Sequence, residues 1–141
     1  MFESCTQKQN EVIKLFSSIS DEEKYSKLIE MGKKLPPLQE EYKTNENRVP
    51  GCQSTMYLRA FQKADQIFYE AESDALISAG LAALLLQVYN GEKAETILKC
   101  PPNYLEEIGI SASLTPNRAN GLYSIHLKMK QEALKLLLKG N

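Results

Sequence analysis

Cys52 stands at a chain reversal, in the stretch ENRVPGCQS that spans residues 46–54. A cysteine kept for packing normally lies inside an apolar segment. Here Pro50 and Gly51 lift the thiol out of any such segment, and small polar residues follow it. Either the thiol is incidental or the loop exists to present it. A presented thiol does nucleophilic sulfur chemistry, whose rate follows thiolate fraction and access. The other two cysteines, Cys5 and Cys100, are widely spaced and form no CxxC. That argues against a disulfide framework or a structural zinc site, and fits free thiols in a reducing compartment. Cys5 precedes the first predicted helix and reads as a surface or fraying-terminus thiol. Cys100, before Pro101 and Pro102, reads as packing. His126, the only histidine, falls at the edge of the last helix's apolar face, so we take it as a satisfied side chain rather than a catalytic base.

The elements that must hold these residues follow from periodicity. Val12, Ile13, Leu15, Phe16 and Ile19 make one face of a helix over residues 9–19. SDEE at 20–23 reads as a capping box, Ser20 with Glu23, opening a helix to about Met31, with Gly32 as its stop. LPPL at 35–38 forbids continuation and leaves 36–54 mostly loop, a length that is functional or disordered in a small domain. STMYLRAFQ and QIFYEAE, joined by KAD, predict a hairpin, and a short strand at Arg48 and Val49 supplies a third. The apolar run 75–89, capped by Ser73 or Asp74 and ended by Asn90-Gly91, is a central helix. A short helix over 92–99 follows, then a turn at 104–108. Thr115 as N-cap and Pro116 at the first position start a last helix to about Leu138, with Leu122, Ile125, Met129, Leu134 and Leu137 or Leu138 inward. The result is an α+β fold: a small antiparallel sheet of about three strands, with helices on one side and at both chain termini.

The 141 residues fit one domain, 1–141, large enough to bury a core without metal or disulfide support. Seventeen Lys and Arg are interleaved with 18 Asp and Glu, giving a net charge of −1 and no basic run, which makes nucleic acid a poor partner. The N-terminus lacks the basic and apolar regions of a signal peptide, and the longest apolar stretch is too short to span a bilayer. We expect a soluble, cytoplasmic protein with no membrane partner.

NRVPGCQSTMYL resembles the cysteine loop of the SufE-like sulfur acceptors, partners of cysteine desulfurases in iron–sulfur cluster assembly. The family pattern, roughly Asn-x-Val-x-Gly-Cys-x-Ser-x-Val-Trp, appears as Asn47, Val49, Gly51, Cys52 and Ser54, with Met56 and Tyr57 in place of Val and Trp. EKYSKLIEMGKKLPPL is similar to the family's second helix and its Leu-Pro segment, and ESDALISAGLAALLLQVYNG to its central helix. SLTPNRANGL resembles its Leu-Thr-Pro-x-Arg-x-x-Gly-Leu box, with Ser113 where a histidine often stands. The likeness covers nearly the whole chain in the same order.

The resemblance implies a SufE/IscU-like fold and a sulfur relay in which Cys52 takes persulfide sulfur from a SufS-like cysteine desulfurase. It implies a carrier and activator rather than a stand-alone enzyme, a downstream iron–sulfur scaffold complex, and a monomer or homodimer. No cofactor is needed on this chain, because the pyridoxal phosphate belongs to the desulfurase. Gly51 removes a side chain beside the thiol, Pro50 restricts its other flank, and Ser54 with the amides of Gln53 and Ser54 are donors for a thiolate. Arg118, in the second matched box, is the candidate cation that lowers the thiol pKa, or else a contact for the partner. Asn47 is a turn former. An idle carrier should keep Cys52 partly buried, because exposed thiolates and persulfides oxidise or lose sulfur. Two other readings compete. An IscU-type cluster scaffold wants about four ligands, and the chain has three cysteines. A docking module would bind a desulfurase without thiol chemistry.

Overall fold

The computed structural model describes residues 2–52, 54–110 and 114–139. Strands β1 (Met56–Lys63) and β2 (Gln66–Ser73) pair in register from Met56 opposite Ser73 to Lys63 opposite Gln66. Ala64 takes φ +55° in the two-residue turn between them. The third strand is not the expected one. β3 (Glu92–Lys93) pairs with Gln66 and Ile67, whereas Arg48 makes only a single bridge to Tyr57. Gly91, at φ +82°, turns the chain back onto β2, and its amide donates to the Ile67 carbonyl at 2.8 Å. The expected helix over 92–99 therefore begins only at Ala94, as α4 (Ala94–Lys99), after α1 (Glu3–Phe16), α2 (Asp21–Lys33) and α3 (Leu76–Tyr89).

Alternation along the hairpin sends Met56, Leu58, Ile67, Tyr69 and Ala71 to one face, where they are buried. α3 packs over β2 on that face, and α6 (Pro116–Lys139) packs over β1. The short α5 (Tyr104–Glu107) lies against α1. Tyr69 fixes α6 on the sheet by donating its hydroxyl to the Met129 carbonyl at 2.8 Å. On the other sheet face Arg59 pairs with Glu70 at 2.6 Å and stacks 3.8 Å above the Tyr42 ring. The architecture is α+β with a three-stranded antiparallel sheet in the order β1-β2-β3.

Several local expectations shift. Helix α1 starts at Glu3, six residues early, because Cys5 and Gln9 fill the first two inward positions of a row that continues through Val12 and Phe16. Cys5 is fully buried rather than a surface thiol. The Ser20–Glu23 capping box forms with both reciprocal bonds. Gly32 does not stop α2. It lies inside the helix, where a Cβ would sit 2.6 Å from the amide nitrogen of Gly80 on α3. On α6 the inward row is Leu122, Ile125, Met129 and Ala133, while Leu134, Leu137 and Leu138 are exposed.

Candidate functional site

Cys52 lies where its loop meets the first turns of α3 and α6. The half-buried sulfur faces a small recess walled by Ser78, Leu81, Arg118, Gly121 and Ile125. Gly51 takes φ +83°, a backbone region closed to most side chains, and so turns the chain into this recess. Gly121 lies on the wall against the sulfur, where a Cβ would stand 3.9 Å away, in ordinary contact.

Thr115 caps α6 as expected, its hydroxyl accepting from the Arg118 amide at 3.4 Å. That start places Arg118 on the first turn, facing α3. Its Nη1 donates to the Ser78 hydroxyl at 3.0 Å. Ser54 Oγ donates to the same Ser78 oxygen at 2.7 Å and lies 3.4 Å from the Ser73 hydroxyl. Cys52, Gly51, Ser54 and Arg118 thus converge. Asn47 does not reach the thiol. It holds the loop, donating from Nδ2 to the Tyr42 carbonyl at 2.8 Å while its own carbonyl accepts from the Leu58 amide. The Gln53 amide and Ser113 lie outside the described residues.

Burial pushes the Cys52 thiol above its ordinary range, and the positive charge of Arg118 opposes that push. Desolvation wins, so the resting sulfur is held as a thiol. Cys5 and Cys100 differ in kind. Gln9 Nε2 lies 3.5 Å from both sulfurs, and burial followed by contact with Cys100 pushes Cys5 up to about 12. The two pack α1 against the end of α4. The His126 ring lies tilted against that of Tyr89, 5.5 Å between centroids, and its buried Nε2 has no hydrogen-bond partner among the described residues, so it is not the satisfied side chain expected. Burial, with Lys130 nearby, pushes it down to about 4.

The loop before Cys52 is pinned rather than free. The Leu38 amide donates to Glu72 at 2.9 Å, and Lys43 pairs with the same carboxylate at 2.7 Å, holding it below the usual carboxylate range. Lys128 of α6, itself buried, donates to the Glu46 carbonyl at 2.6 Å. The Val49 amide donates to the Met56 carbonyl at 2.8 Å.

Sequence reasoning passed over Ser78, Ser124 and Lys128. Ser78 left one signal: it is the only hydroxyl in the apolar run 75–88. A buried hydroxyl needs a partner, and here the partners are site residues.

A family model described as SufE, the Fe–S metabolism associated domain, matches residues 10–133. The chain belongs to the SufE family. It is 39% identical over 140 residues to SufE-like protein 1, chloroplastic/mitochondrial, of Arabidopsis thaliana, covering 98% of this chain and 38% of that protein. It therefore spans well under half of that relative. Against the cysteine desulfuration protein SufE of Wigglesworthia glossinidia brevipalpis it is 35% identical over 130 residues, 90% of each chain. The fold matches the solution structure of a hypothetical protein from Thermus thermophilus with a TM-score of 0.78 at 26% identity, over 93% of this chain and 96% of that one. Among the described residues, no helix is long and apolar enough to cross a membrane, and no three His, Cys, Asp or Glu side chains converge as a metal site.

Proposed function

We propose that this SufE-family chain is a cytoplasmic sulfur acceptor that takes persulfide sulfur from a cysteine desulfurase onto Cys52, stimulates that enzyme, and hands the sulfur on for iron–sulfur cluster assembly. The observation that carries the reading is the setting of Cys52: a thiol on a forced turn, half-buried in a recess beside the Arg118 cation. The family description, and the name of the Wigglesworthia relative, give it its context.

The chemistry is an exchange. The Cys52 thiolate attacks the outer sulfur of the donor's cysteine persulfide, a new S–S bond forms at Cys52, and the donor's S–S bond breaks. The donor leaves as a thiolate that takes up the proton lost by Cys52, so no external oxidant or reductant is consumed. Burial holds the idle thiol protonated and shielded, and Arg118 supplies positive charge where the thiolate develops. The donor persulfide would sit on a cysteine of the desulfurase, whose pyridoxal phosphate would supply the carbon–sulfur bond chemistry on that side.

The test is intact mass after incubation with a desulfurase and free cysteine. Wild type should gain about 32 Da per transferred sulfur, and Cys52→Ser should gain none. Faster desulfurase turnover without added mass would leave a docking module and overturn the relay.

A further inference from the structure

We infer that Ser78 is a positioning residue: its buried hydroxyl holds the Arg118 guanidinium in the recess beside Cys52. The inference deepens the acceptor reading and rests on it for its purpose, while its test needs no desulfurase.

Three observations carry it. First, Arg118 stands on the opening turn of a 24-residue helix, where the macrodipole is positive and disfavours a cation. A long side chain there would extend into water unless something held it. Second, the serine that holds it is only 5% exposed on α3, and its hydroxyl receives two donors, Arg118 Nη1 at 3.0 Å and Ser54 Oγ at 2.7 Å. A buried hydroxyl so placed fixes the fork of the guanidinium in one direction. Third, among the described residues Arg118 is the only charged one lining the recess, whose other walls include Leu81 and Ile125. Between apolar walls a fixed charge acts more strongly on a neighbouring thiolate than it would in water. Ser54, two residues past the thiol, ties the same node to the cysteine loop.

The experiment measures the pH dependence of Cys52 alkylation by iodoacetamide in the isolated chain, with the modified peptide identified by mass. Wild type, Ser78→Ala, Arg118→Ala and the double variant are compared, each checked for an unchanged urea midpoint. Each single variant should raise the apparent Cys52 pKa by about half a unit to one unit. The double variant should match Arg118→Ala alone. A Ser78→Ala profile that overlays wild type overturns the inference. So does a Ser78→Ala shift that persists in full without Arg118, since the serine would then act by another route. Profiles that behave as expected in a chain that accepts no sulfur would support the positioning role and sink the acceptor reading instead.

Discussion

A Cβ on Gly51 would lie 2.6 Å from the hydroxyl oxygen of Ser124. The turn that presents Cys52 is therefore fitted against α6 from outside the recess as well as from within. Gly51→Ala meets two penalties, the left-handed backbone and this contact. We expect it to cost about 1–2 kcal/mol, read as a lower urea midpoint at constant slope. Adding Ser124→Ala should recover only the steric part, because the Ser124 Cβ stands 3.6 Å away, in ordinary contact. Wild-type stability in Gly51→Ala would contradict the backbone assignment.

Lys128 joins α6 to the loop through the Glu46 carbonyl and lies 3.6 Å from Glu132. Lys128→Met keeps most of the stem and removes the donor. It should cost about 0.5–1.5 kcal/mol, the net worth of an ordinary hydrogen bond, since water can reach the carbonyl of the exposed Glu46 once the donor is gone. With the loop released at Glu46, iodoacetamide should reach Cys52 faster at every pH without moving the midpoint of its profile. An unchanged rate would show that the loop's position does not depend on this bond.

The three thiols should separate cleanly by reactivity. Cys5 is 0% and Cys100 7% exposed, and Cys5 ionises only at about 12. In the native chain at mildly alkaline pH, Cys52 should be alkylated at least about tenfold faster than either. All three should react together once urea unfolds the chain. Rapid native labelling of Cys5 would contradict the packing of α1.

His126 links stability to pH. Its folded value of about 4 lies below the ordinary 6.5, so the unfolded chain binds the proton first as pH falls. The native state is unaffected above about 6.5 and loses stability progressively down to about 4. The full loss is on the order of 3 kcal/mol. His126→Gln should flatten this part of the urea-stability profile. An equally steep profile in that variant would place the proton elsewhere.

Features set by neighbours along the chain were legible in the sequence. The Ser20–Glu23 box, the hairpin turn, the Thr115 cap and the apolar helix α3 each depend on a few adjacent residues, and each forms. Features set by distant partners were not. Cys5 and Gln9 stand in a polar stretch ahead of the apolar row, yet they fill core positions because α1 meets Cys100 and Pro101. Gly32 looks like a helix stop, but it is the crossing point of α2 on Gly80. The strand Glu92–Lys93 is too short to carry an alternation. At the site, the Pro50-Gly51 turn drew attention to Cys52, and Arg118 could be named only through the resemblance of its box to the family's. Ser78 and Ser124 could not, because their role exists only where two helices and a loop come together.

The rung at Val49 sets a limit on how far the thiol can travel. Three residues separate Val49 from Cys52 along the chain, counting Cys52 itself. An extended backbone gains at most about 3.3–3.6 Å per residue, so the Cys52 α-carbon sweeps a radius of roughly 10 Å while that rung holds. The thiol therefore has a short stroke and is not on a swinging arm. On the proposed relay, the donor must bring its own sulfur most of the way, and one buried much deeper than that stroke is out of range.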